Sequence, residues 1–353
     1  MDLEFKPDFE ETRQRWTAFW NGEKLDRPLV SIIVPKPGVK PIEKPPYTAG
    51  ANGNFEPVID QILGWVRTHE FLGEAIPFFY VEFGPDHFSS LLGAELKFNP
   101  GSWGTSWCVP FVKDWDDVRI QFRPDCFWYK RTIEFVKALR ARCDGKLLLA
   151  GPTLVGGLDC LVAIRGVENL LMDLLLVPDK VKAALKDVCY AYKEILEALS
   201  AELGVKEYGS INRHGMYSFG KIDVLQCDFS CMISPEMFKE FEVPCLIQEA
   251  KALDSVEYHL DGPGALVHLS TICEIADIDV IQWVSGSGEA EKKDWIELYK
   301  KIDNFGKGQI LWADQERIKY LARRLKLRKL FFITEAKSRK EAEHFLLELE
   351  SSW

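Results

Sequence analysis

The stretch Val256-Glu257-Tyr258-His259-Leu260-Asp261-Gly262-Pro263-Gly264 decides how the rest of the chain is read. A short apolar lead-in is followed by an imidazole and a carboxylate two residues apart, then by a Gly-Pro-Gly break. On an extended strand, residues i and i+2 point to one face, so His259 and Asp261 project side by side. The glycines permit a sharp turn, after which residues 265–276 read as a helix. A strand that ends in functional groups and turns straight into a helix is how a (β/α)8 barrel presents its active site. The bland alternative is a buried His–Asp hydrogen bond at a strand end.

Working outward, eight apolar, β-branched or aromatic runs recur at 76–83, 146–153, 207–212, 223–229, 256–261, 279–284, 308–313 and 330–334. Helical patterns separate them, among them 126–143, 159–203, 235–253, 292–303, 316–325 and 338–351. Alternating β and α elements imply parallel strands with crossover helices, and eight of them imply closure into a barrel. No GxGxxG fingerprint follows any strand, and no short repeat period is present. The expected architecture is α/β, a single (β/α)8 TIM barrel over 75–353 with a helical and strand extension over 1–74. Within that extension, 1–24 reads as an amphipathic helix, 27–35 as a strand, 35–54 as a Pro/Gly-rich rim loop, and 55–73 as a helix.

The 353 residues are 47% hydrophobic and 28% charged, an ordinary globular profile. A net charge of −10 argues against a broad nucleic-acid or anionic-membrane surface. No apolar run reaches membrane-spanning length, and Met1-Asp2-Leu3-Glu4-Phe5-Lys6 lacks a signal-peptide pattern, so a cytoplasmic protein is expected. Nine cysteines are scattered without a CxxC pair and read as small buried hydrophobes rather than a thiolate zinc site.

Barrel chemistry sits at the C-terminal ends of the strands. Those ends carry Glu82 and Asp86, Asn212 with Arg213 and His214, Asp228, His259 and Asp261, Gln282 and Trp283, Trp312 and Asp314, and Glu335. Asp228, His259, Asp261 and Glu335 are the catalytic candidates. Glu82, Asp86, Trp107, Arg213, His214, Gln282, Trp283, Trp312 and Asp314 are the substrate-binding candidates. So many acceptors suit a polyol, a cation, a metal, or acid/base chemistry on a neutral substrate. A metal reading takes His259, Asp261 and Glu335, with Asp228 or His214 as other third ligands, and suits zinc, manganese or iron(II). Trp103 and Trp107 lie in a Gly/Pro-broken loop and either pack onto the barrel or wall a substrate. Asp159 and Arg165 open a long helix and read as a structural pair, with Asp159 also near the mouth. The basic run at 317–329 reads as a solvated helix face, and His268 as a packing residue.

The segment Gln226-Cys227-Asp228-Phe229-Ser230, continuing through Ile233-Ser234-Pro235-Glu236-Met237-Phe238, Phe241 and Pro244, resembles the uroporphyrinogen decarboxylase superfamily. The His259-to-Gly264 block follows at that family's spacing. Residues 24–30 resemble its N-terminal segment, residues 76–98 its first barrel unit, and residues 279–283 a later strand. The resemblance covers most of the chain in order and implies a (β/α)8 barrel. It also implies decarboxylase chemistry, or methyl transfer with corrinoid proteins or thiols. The Arg-rich loop of the decarboxylases is absent from 30–38. Where the zinc methyltransferases carry HxC and a late Cys, this chain reads His259-x-Asp261 and Thr334-Glu335.

Three classes follow. The first is methyl transfer from a small methylated substrate to a corrinoid or folate partner, with zinc as the implied metal. The second is hydrolysis or elimination on a sugar-like substrate by two of Asp228, Asp261 and Glu335. The third is a ligand-binding barrel without turnover. The partners expected are a small molecule, a corrinoid protein and a second copy of the chain in a homodimer.

Overall fold

The computed structural model describes residues 3–99, 105–288, 293–325 and 329–353, so Trp103 lies outside the described residues. At its centre is a seven-stranded sheet with the order His69–Gly73, Leu29–Pro35, Leu330–Thr334, Gly308–Trp312, Val280–Val284, Ser255–Asp261, Ile222–Gln226. Every neighbouring pair is parallel except the first. Helices connect the later strands, as crossover connections between parallel neighbours require. A second parallel pair, Phe78–Tyr80 with Leu148–Ala150, stands apart from this sheet. Each of the eight expected runs contains a strand. Among the described residues, however, the ladders do not join into a closed ring; the third run supplies only Ser210–Ile211, folded back on Tyr217–Ser218. The architecture shown is α/β with one large, mainly parallel sheet.

Three expectations change. The strand placed in the N-terminal extension enters the sheet, pairing with Leu330–Thr334 from Leu29↔Phe331 onward. The helix expected over 55–73 stops at Thr68, whose hydroxyl bonds back to the Gly64 and Trp65 carbonyls. His69–Gly73 then runs antiparallel to Leu29–Pro35. Gly73 closes that pairing at φ +60, where a Cβ would lie 2.2 Å from the Val30 carbonyl oxygen. The single long helix expected at 159–203 is three: Gly157–Arg165, Val167–Leu176 and Pro178–Leu203. Gly166, at φ +89, interrupts it once, and Pro178 can only begin the last piece.

The helix Phe9–Trp20 buries Phe9, Thr12, Trp16 and Phe19. Its aromatic stripe joins a cluster with Leu29, Ile222, Val280, Ile310 and Phe331, and the Trp16 ring lies 4.8 Å from that of Phe331. These strand residues share one face of the sheet, so the helix plugs its N-terminal end with indole and phenyl rings.

Glu74 ties this extension down. Arg27 grips it with two hydrogen bonds of 2.8 and 2.9 Å, Arg15 adds one of 2.7 Å, and the Val30 N–H donates another at 2.7 Å. Burial acts to raise this carboxyl, yet the two guanidiniums hold it below its usual range. Its stabilising contribution is therefore present above the unfolded pKa and is lost as pH falls. Glu74→Ala strands buried Arg27, takes one of two carboxylate partners from half-buried Arg15, and is expected to cost ~3–5 kcal/mol in urea unfolding. Replacing Arg27 and Glu74 together by Met and Leu should recover part of that loss. An unchanged midpoint for Glu74→Ala would show the network to be energetically idle.

Candidate functional site

The site is a product of register. His259 pairs with Gln226 on one side and Gln282 on the other. The row continues through Ile310, Phe331 and Leu29. Side chains in one row of a parallel sheet share a face. Gln226 ends its strand and His259 lies in the later half of its own, Gln282 and Ile310 are central in theirs, and Phe331 and Leu29 lie at the starts. The row therefore runs from a polar mouth to the apolar floor, as strand tilt demands.

At the mouth, one ligand atom each from Asp228, His259 and Asp261 lies within 4.8 Å of the others. His259 Nδ1 is hydrogen-bonded to the Gln282 side-chain oxygen, so it carries the proton and leaves Nε2 with the lone pair. Burial, then the nearby Arg213 charge, pushes the imidazole pKa down, which keeps the ring neutral. An oriented neutral imidazole beside two carboxylates fits a divalent ion, with Gln282 as the outer partner that fixes the ring. Solvent reaches Asp228 from the mouth, yet protein surrounds it on its other sides, and its pKa is raised by desolvation against the pull of His259. Gln226 Nε2 donates to Asp228 at 3.2 Å, and Gln226 Oε1 accepts from Arg213 at 3.0 Å.

Asp159 holds the loop that carries Asp228. Its two oxygens accept the backbone N–H groups of Asp228 and Phe229 at 2.8 and 2.9 Å. Burial and the adjacent Asp228 charge raise its pKa. It does not pair with Arg165 as expected; Arg165 binds Asp173 instead, at 2.6 Å. Gly156 and Gly157 let the preceding chain pass close to Glu249 and Glu242, whose oxygens stand 2.2 and 2.3 Å from where a Cβ would be built.

Arg213 and His214 sit on the turn between Ser210–Ile211 and Tyr217–Ser218, shaped by Asn212 Oδ1 accepting from the N–H groups of His214 and Met216. Fully buried Glu257, two residues before His259 on the same face, binds His214 Nδ1 at 2.6 Å and Asn212 Nδ2 at 2.7 Å. Burial acts to raise Glu257, but His214 and Arg213 hold its pKa low. Glu82 is the contrasting acid. It takes hydrogen bonds from Tyr80 and from the Thr153 N–H, and burial pushes it up to about 8 against the partial offset of Arg213.

A cavity of about 810 Å³ opens beside His259, bordered by Arg213, His214, Trp295 and Trp312 among others. Gln282 and Trp283 both border it, but only Gln282 shares the His259 row. Trp283, 7% exposed, belongs to the cluster packed beneath the helices and meets Trp295 edge-on at 5.0 Å. The expected ring of carboxylates does not converge here. Asp314 caps the helix Gln315–Ala322 through the Arg317 N–H at 2.7 Å. Asp86 accepts the Cys108 N–H at 2.7 Å, anchoring the hairpin that carries exposed Trp107 away from the cavity lining. Glu335 is exposed and outside the Asp228–His259–Asp261 group, so the three-residue set replaces Glu335 with Asp228. His268 packs as expected, stacked 4.4 Å from Phe238. Gln226, Glu257 and Trp295 were not singled out as site residues from sequence, whereas Asp159 was placed near the mouth; Gln226 and Glu257 obey the same i, i+2 spacing that marked His259 and Asp261.

No protein-family model matches the chain, and no curated protein does. Among solved structures, the chain is similar to a methyltransferase from Methanosarcina mazei, with a TM-score of 0.60 over 96% of this chain and 98% of that one. At 13% identity, the likeness is one of fold along the whole chain.

Two outcomes test this geometry. Gln282→Leu frees the His259 ring and is expected to weaken divalent-ion affinity roughly 10–100-fold by calorimetric titration, leaving the fold intact. Folded Glu82 keeps its proton up to about pH 8, whereas its ordinary value is 4.5. Its stabilising effect is thus complete below the unfolded pKa and lost as pH rises through the folded one. Glu82→Gln should gain thermal stability relative to wild type as pH rises from 5 toward 9; melting curves that stay parallel across that range would refute the raised pKa.

Proposed function

We propose that the chain is an enzyme of the methyltransferase type, acting on a small methylated substrate at a metal held by Asp228, His259 and Asp261. The observation that carries this reading is the grouping of those three ligand atoms within 4.8 Å, with His259 among them bordering a large cavity. The whole-length fold likeness to a methyltransferase supports it. The reading places the strands in a (β/α)8-type barrel whose ladder is interrupted at its short third strand and again where Leu330–Thr334 pairs with Leu29–Pro35 rather than with Phe78–Tyr80.

Asp228, His259 and Asp261 would hold a divalent ion there, which would supply Lewis-acid polarisation of the heteroatom that releases the methyl group. The protein's own groups do the rest. Gln282 orients His259, Gln226 ties Asp228 to Arg213, and Asp159 fixes the loop behind Asp228. The bond between heteroatom and methyl carbon breaks with its electron pair left on the heteroatom. The carbon would form its new bond to a nucleophilic acceptor, a reduced corrinoid or a folate amine, and an amine acceptor would give its proton to the released heteroatom. Two carboxylates this close with an imidazole beside them suit one ion better than a sugar, for which glycosidases space their acids roughly 5–10 Å apart.

The test is transfer from methylated donors to cob(I)alamin, followed by the visible absorbance of methylcobalamin. Activity should need one equivalent of zinc or manganese, disappear with chelator, and fall at least ~100-fold in His259→Ala. Methyl transfer that survives both chelation and His259→Ala would refute the metal reading. Hydrolysis of glycosides by metal-free protein would replace it with the hydrolytic one.

A further inference from the structure

The cavity wall carries information about the substrate that the metal ligands do not. Trp312 ends its strand with the indole 50% exposed, 5.2 Å edge-on from the His214 imidazole. A half-bare indole beside a polar site is an aromatic platform without a partner. Trp295 and Tyr299 extend the wall, and Lys293 Nζ stands 4.5 Å above the Trp295 ring.

The charges on this wall have a definite sign. Among the described residues lining the cavity, Arg213, Lys293 and Arg317 are cationic, and Asp294 is the carboxylate. Asp294 is already bound by Arg317. Arg213 Nε is buried with no hydrogen-bond partner. The acids of the site, Asp228 and Asp261, gather instead at the His259 end. The His259 side of the pocket thus adjoins the ion-binding oxygens and, through Gln226, Arg213, whereas the indole side has Lys293 and Arg317. A quaternary ammonium against the indoles would bring its charge toward Lys293 and Arg317. A flat anion would lay its ring on Trp312 and point its negative end toward those same cations.

We infer that the cavity takes an aromatic carboxylate bearing a methyl ether, its ring against Trp312, its carboxylate toward Lys293, and its ether oxygen toward His259. The methyl ether part of this inference rests on the methyl-transfer reading above; the aromatic-acid part rests on the wall alone.

Binding is measured on the full chain without metal or acceptor, by indole fluorescence, with 4-methoxybenzoate, methoxybenzene and choline as probes. 4-Methoxybenzoate should bind saturably and more tightly than methoxybenzene, with choline weakest. Trp312→Leu should weaken both aromatic probes about tenfold. Lys293→Met, an exposed substitution, should weaken only the acid, by about 2–5-fold, and added salt should narrow the gap. Far-UV circular dichroism checks that both variants remain folded. Choline binding more tightly than 4-methoxybenzoate, or Trp312→Leu leaving every probe unaffected, would overturn the inference. If 4-methoxybenzoate binds as expected but yields no methyl to any acceptor, the aromatic-acid site stands and the methyl-transfer reading falls.

Discussion

The pairing of His259 with Gln226 and Gln282 is the constraint on which the rest of the structure depends. A parallel ladder has a side-chain period of two, so this one register decides which residues face the mouth and which lie beneath the helices. A slip of one residue would bring Tyr258 and Leu260 into the mouth and turn His259 and Glu257 toward the helices. The cost of that slip is what makes the register secure. Tyr258, Leu260 and Ile281 are almost fully buried with the helix-facing core, while Val280, Ile310 and Phe331 pack on Trp16. Two apolar surfaces therefore hold one polar row in place.

Electrostatics then divides the buried acids into two kinds. Glu257 and Glu74 have cationic or imidazole partners at hydrogen-bond distance and stay ionised. Glu82, Glu242 and Glu249 are buried with too little compensation, and their pKa values rise. Arg213 stands among Glu82, Asp223, Asp228 and Glu257 and influences all four. One guanidinium cannot keep four neighbouring carboxyls ionised, so the interior keeps some of them protonated. Environment sets those protonation states, as in enzymes that run acid and base chemistry from similar side chains.

The sequence was legible wherever a local pattern has a single structural outcome. The strand at 255–261, its Gly-Pro-Gly turn and the i, i+2 geometry of His259 and Asp261 all follow from short-range rules. The alternation of strands and helices does too. Asp314, Asp86 and Glu335 were less legible, because a carboxylate at a strand end serves equally well as a helix cap, a hairpin anchor or a solvated tip. Gln282 and Trp283 show the limit most plainly. Adjacent residues on a strand cannot both face inward, and only the register against His259 tells which one does. Asp159 acts from a helix remote in sequence and reaches the site through backbone N–H groups, which leave no motif. Arg213 and His214 come from a hairpin turn where a full strand was expected.

The floor and the mouth are consequently unequal in what they permit. Trp16, Phe19 and Phe9 close the N-terminal end, so a molecule reaching His259 must come through the strand-end opening. On the proposed reaction, donor and acceptor share that opening. Met232 and Val267, both more than half exposed, belong to the segments that follow Asp228 and Asp261, and Trp312 flanks the other side of His259. An acceptor carried by a protein would have to seat its reactive atom between these apolar side chains while the donor lies against Trp312. A cavity of about 810 Å³ is near the upper end of the roughly 300–1,000 Å³ usual for small-molecule sites, which leaves space beyond a single aromatic ring. On the proposed reaction, that space would let donor and acceptor be present together, with the methyl carbon aligned between them.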